Sequence, residues 1–170
     1  MPVVRFINSL SLWSGRLGAL VVVPLVLAMV FEVVSRYAFA APTQWAFELS
    51  YMMMGTIFLL GLSYAVLMDQ HVNVDFIHQV LPRRAVAGID AVGYLIMAGM
   101  LAWLTNALVG NVASVYRTGE GTGLSAWNPP IWPYRVIYVI GFALFALQCF
   151  AKAIENLLVV FGRTTESPAR

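Results

Sequence analysis

Glu32 and Arg36 are spaced i, i+4, which puts an acid and a base on one helical face in the order an intrahelical ion pair prefers. Glu48 follows beyond a short segment containing Pro42, early in the next apolar run, where the positive start of a helix stabilises a carboxylate. Acids so placed can carry protons, bind a cation or act as structural glue. The pairing favours glue, because a proton-shuttling carboxylate is left unpartnered so that desolvation makes it titrate, and Arg36 neutralises Glu32. Glu32, Arg36 and Glu48, with Trp45 between them, are therefore expected to form a polar clasp or a surface for a partner.

Other chemistry is scarce. His71 and His78 have no companion set of ligands and lie in a connection between apolar runs, so neither metal nor haem is expected. His71 reads instead as the end of a helix, where the dipole favours positive charge. Met52, Met53 and Met54 read as adaptable packing surface. Cys149 is the single cysteine and excludes an internal disulfide; it is expected in the core. A phosphate-binding glycine loop, zinc spacing and a nucleophile elbow are all missing. The chain reads as a non-enzyme that binds no cofactor or nucleic acid.

The elements that hold these residues belong to a membrane protein. Of 170 residues, 61% are hydrophobic and 11% charged, outside the usual range for soluble domains. Uncharged tracts run over 17–31, 49–68, 91–116 and 136–151. A spanning helix needs about 20 apolar residues, and Arg16 and Lys152 can snorkel at the edges of the two shorter tracts. The expected fold is all-α, a single membrane domain over 1–170 with spanning helices near 10–37, 45–68, 85–116 and 131–161. The basic start and Ala38-Phe39-Ala40 mimic a cleavable signal peptide, but the segment is too long and Glu32 and Arg36 interrupt it. Arg5, Arg16, Arg83, Arg84, Lys152, Arg163 and Arg170 lie on one side, against Arg36, Arg117 and Arg135 on the other. This asymmetry places both termini in the cytoplasm.

The connections carry further signals. Between helices 2 and 3, Phe76, Ile77, Val80 and Leu81 form one apolar face after a cap at Asn73 or Asp75. This predicts a short interfacial helix, ended by Pro82 and anchored by Arg83 and Arg84. On helix 3, Asn106, Gly110 and Ser114 form an i+4 stripe suited to another helix. In the outer loop, Gly119, Gly121 and Gly123 predict a mobile half, while Pro129, Pro130 and Pro133 predict a stiff half among Trp127, Trp132 and Tyr134. Gly15, Gly18, Gly55 and Gly61 are expected to admit close helix approach.

The order of these motifs resembles a known family. E-x-x-x-R at Glu32 and Arg36, P-x-x-W-x-x-E at Pro42, Trp45 and Glu48, and HVNVD from His71 to Asp75 are similar to the DctQ-like small permease subunit of tripartite ATP-independent periplasmic (TRAP) transporters. The stretch SAWNPPIWP, residues 125–133, is similar to the segment before the last helix in that family. The resemblance covers nearly the whole chain and implies a bacterial inner-membrane subunit with two partners, a large permease subunit and a periplasmic substrate-binding protein. It implies that the large subunit holds the sodium and organic-acid sites while the small one extends a static scaffold in the bilayer. His71 and Asp75 would then be family motif residues at the cytoplasmic interface. From the make-up of the outer loop, Trp127, Asn128, Pro129 and Trp132 are expected either to dock the binding protein in the periplasm or only to anchor the last helix in the headgroups. Two rivals stand beside it: a four-helix proton-coupled exporter, which would want an unpaired Glu32, and a membrane anchor of a redox complex, which would want buried histidines.

Overall fold

The structure, a computed structural model, describes residues 2–70 and 82–162, the side chain of Arg83 apart. Its elements are four helices: α1 (Pro2–Ala38), α2 (Ala46–Leu67), α3 (Arg83–Thr118) and α4 (Trp132–Val160). All four are long and apolar enough to cross a membrane. The interfacial helix expected over 73–81, with His71, Asp75 and His78, lies outside the described residues.

Helix α4 is the centre of the bundle, since it packs against all three others, while α3 packs only on α4 and α1 only on α2 and α4. One core cluster joins Val66 of α2, Ala98 and Leu101 of α3, and Phe145 and Cys149 of α4. Cys149 is fully buried, as expected, with its sulfur 3.5 Å from that of Met97. A second cluster, Val4, Ile7 and Ala151 with Ile154, sits where the start of α1 meets the end of α4. That contact explains why α1 begins at Pro2 rather than near Leu10: its extra turns cover the inner end of α4.

From Val4 to Gly18 the buried side of α1 alternates steps of three and four residues. Val4, Ile7, Ser11, Ser14, Gly18 and Ala28 are buried, while Leu17, Leu20, Val26, Leu27 and Phe31 point outward. This is the seam of a left-handed helix pair. Small residues permit it: Gly18 approaches the Ile57 carbonyl and Gly15 receives the ring of Tyr64. A Cβ on Gly141 of α4 would lie 2.8 Å from the Leu59 Cβ and 3.2 Å from its carbonyl oxygen, so that glycine sets the α2–α4 distance. Gly55 similarly makes room for the Tyr134 ring, but Gly61 has open space beside it.

Helix ends are capped locally. Asp69 takes a left-handed conformation (φ 53°), and the N–H groups of Asp69 and Gln70 return to the carbonyls of Val66 (3.2 Å) and Ala65 (2.9 Å). This Schellman closure ends α2 ahead of His71. Pro82 is the N-cap of α3, and Gly119 (φ 65°) terminates that helix.

Candidate functional site

Polar side chains gather at both ends of the bundle. At the end where α1 turns into α2, Glu32 is the hub. Arg36 donates to its Oε1 from Nη2 at 2.5 Å and from Nε at 2.9 Å. The backbone N–H of Thr43 donates to Oε2 at 2.9 Å, and the Thr43 hydroxyl also bonds that oxygen. Four donors on one carboxylate fix the turn between the helices, and Phe31 stacks on Trp45 at 5.9 Å beside it. Thr43 is thus bound to α1 rather than capping α2, whose N-cap is Trp45.

Glu48 does not join this group. Its carboxylate is completely buried and accepts a 2.6 Å hydrogen bond from the hydroxyl of Thr122, in the connection between α3 and α4. The expected clasp is therefore two separate fastenings. Sequence spacing put Glu48 near Arg36 because only a short turn separates them, but entry into α2 rotates Glu48 toward α4.

The α3–α4 connection is a closed hairpin. Gly121 bridges Pro130 in antiparallel fashion, Thr122 N–H donates to the Pro129 carbonyl (3.1 Å), and Ile131 N–H donates to that of Glu120 (3.1 Å). Asn128, at φ 41°, accepts from the Gly123 N–H at 2.8 Å. A Cβ on Gly121 would come within 2.4 Å of the Asn128 side chain. The glycine half expected to be mobile is accordingly bonded strand-like to the proline half. Trp127, Asn128, Pro129 and Trp132 are brought together on this hairpin, with Trp127 exposed and Trp132 edge-on to Tyr116 at 5.5 Å.

At the opposite end runs a polar seam that spacing did not reveal. The Ser11 hydroxyl donates to Gln148 Oε1 (2.7 Å), Gln148 Nε2 donates to Asn8 Oδ1 (3.0 Å), and Asn8 Nδ2 donates to Glu155 (3.4 Å). Ser14 shares a 2.9 Å hydrogen bond with Ser63 and donates to the Leu60 carbonyl at 2.6 Å. Lys152, nearly buried, reaches Asp69 at 2.6 Å and lies 3.9 Å from Glu155, the partner its i, i+3 spacing suggested. The signal was present, since Ser11, Ser14, Asn8 and Gln148 are polar residues in or beside apolar helices, where such groups cross-link neighbours.

What these sites can do chemically is limited. Each acid among them accepts at least one hydrogen bond from a neighbouring helix or loop, which suits fastening more than turnover. A groove of about 390 Å³ between α3 and α4 is lined by Leu95, Ala98, Gly99, Ala102, Ala146, Leu147 and Phe150 and gives a polar solute nothing to hold. Among the described residues no cluster of His, Cys, Asp or Glu is fit for a metal. One helix face is unexplained within the chain: Asn106, Gly110 and Ser114, expected against another helix, point away from the bundle on the exposed side of α3.

Over 80 residues the chain is 29% identical to the "Sialic acid TRAP transporter permease protein SiaT" of Haemophilus influenzae (strain 86-028NP). The match covers 47% of this chain and 12% of that relative. No solved structure matches. The family model described as "Tripartite ATP-independent periplasmic transporters, DctQ component" matches residues 25–159, from the middle of α1 to the end of α4. A match that takes in the Glu32 hub, Glu48 and the α3–α4 hairpin establishes the family: the chain is a member of the DctQ component of TRAP transporters.

Proposed function

We propose that this chain is the small scaffold subunit of a bacterial inner-membrane TRAP transporter, seated beside a large permease subunit that imports an organic acid with sodium. The observation that carries the reading is the outward stripe on α3. Asn106 is exposed about 16 Å along the helix from Arg117, well inside an uncharged tract. A polar group facing hydrocarbon is costly, so such residues normally meet another helix. None of α1, α2 or α4 covers this face, which leaves a partner's helix as its natural cover, and Gly110 would let that helix approach closely.

Two further points support it. Most of the SiaT relative lies outside the 12% that this chain matches, and its printed name is a permease; a larger permease body beside the present helices fits that proportion. The paired state of Glu32, which has donors on both oxygens, weighs against a proton-coupled exporter that would use it. Basic residues at the terminal end of the bundle support a cytoplasmic location for both termini and a periplasmic hairpin, where a substrate-binding protein would dock.

Reconstitution tests the proposal. In liposomes with a sodium gradient, this chain alone should give no organic-acid uptake above empty vesicles. Addition of the large subunit and the binding protein should give uptake. Robust uptake by the chain alone would overturn the scaffold reading.

A further inference from the structure

We infer that Glu48 is the positioning residue of the outer hairpin, holding it closed through Thr122, and that a buried water completes the carboxylate. The inference rests on local geometry and stands independently of the transporter reading. Glu48 is 0% exposed, and one of its oxygens, Oε2, is taken by the Thr122 hydroxyl. The other, Oε1, is buried and has no hydrogen-bond partner among the described residues. An unsatisfied buried carboxylate oxygen is expensive, and no described group donates to Oε1.

The first turns of α2 and α4 lie side by side here, with Tyr51 edge-on to Tyr134 at 5.8 Å. In the same turn of α4, Arg135 places its guanidinium 5.9 Å from the Tyr138 ring, and its buried Nε is the other side-chain atom without a hydrogen-bond partner among the described residues. Water meets both needs, since it donates to a carboxylate and accepts from a guanidinium N–H. The consequence lies in the hairpin. Thr122 is the residue whose N–H pairs with Pro129 and whose hydroxyl pairs with Glu48, so one side chain ties the two hairpin strands to α2. Without it, the hairpin is held by its own few backbone bonds and its packing on α3 and α4.

Amide hydrogen exchange on the full chain in lipid nanodiscs tests this, read at Thr122, Gly123 and Ile131. Thr122→Val removes the hydroxyl at nearly constant shape and should speed exchange at these amides about tenfold, with α1 and mid-α4 unchanged. Thr122→Ser should restore protection. Glu48→Gln keeps a carbonyl for Thr122 and turns an NH2 toward water, which can accept, so it should stay closed; Glu48→Leu should open the hairpin. Unchanged exchange in Thr122→Val would overturn the latch, even if Glu48→Leu failed to fold. A Glu48→Gln hairpin as open as that of Glu48→Leu would overturn the water and assign Oε1 to a donor that cannot accept, such as a cationic side chain.

Discussion

Charge at the level of single residues works here through what each group would leave behind. Lys152 is almost buried, whereas the Asp69 side chain that pairs with it is 53% exposed, so the two halves of one ion pair are unequal. Removing the exposed acid strands a cation in the bundle; removing the cation leaves an acid that water can solvate. Asp69→Gly also relaxes the left-handed backbone, so the measured loss is a lower bound on the electrostatic one. We expect Asp69→Gly to destabilise by about 1–2 kcal/mol, below the 3–5 typical of full burial because solvent screens Asp69 and Glu155 remains near. Lys152→Met should cost less. Thermal unfolding in detergent of both variants checks this, and the reverse order would mean that Asp69 is the buried member in the membrane.

Among the elements, the crossing of α2 and α4 is set by one missing side chain. Gly141 faces the Leu59 backbone, which cannot swing aside, whereas Gly93 of α3 has nothing within 4 Å. Gly141→Ala should therefore force the helices apart and cost about 1–3 kcal/mol. Gly93→Ala should be neutral or stabilise by up to about 1 kcal/mol through helix propensity alone. Melting temperatures of the two variants, measured side by side, decide it; equal effects would show that α2 and α4 are not in tight register. The same reasoning explains α1, whose Gly15 and Gly18 admit α2 while its large apolar residues face away.

As a whole molecule, the bundle is open on two sides, because α1 and α3 each leave a long face uncovered by the other helices. Lipid suffices for the apolar face of α1. It does not suffice for Asn106, and so, if the proposed large permease subunit covers this face, Asn106→Leu and Gly110→Leu should reduce its co-purification by roughly tenfold, the effect of about 1.4 kcal/mol at a helix contact. Leu20→Ala, on the outward face of α1, should leave it unchanged. Equal recovery of the partner from all three variants would place the partner elsewhere and remove the main support for the α3 face.

By itself the sequence determined that the chain forms helices long and apolar enough to cross a membrane, because hydrocarbon permits little else for tracts of that length and composition. It also made the family legible, through the order of the motifs at Glu32 and Arg36, at Pro42, Trp45 and Glu48, at His71 to Asp75 and over residues 125–133. It paired Glu32 with Arg36 correctly, since an i, i+4 contact is local. Tertiary structure decided the rest. Which face of a helix meets another is hard to read when nearly every residue is apolar, since hydrophobic periodicity then vanishes and only small or polar residues mark the seam. Ser11, Ser14, Gly18 and Gln148 carried that mark, yet their partners lie on other helices and at separations of up to 140 residues. Glu48 shows the limit most clearly. Its neighbours in the chain suggested Arg36, but the rotation of α2 and the fold of the hairpin give it Thr122, a partner 74 residues away that no local spacing could name.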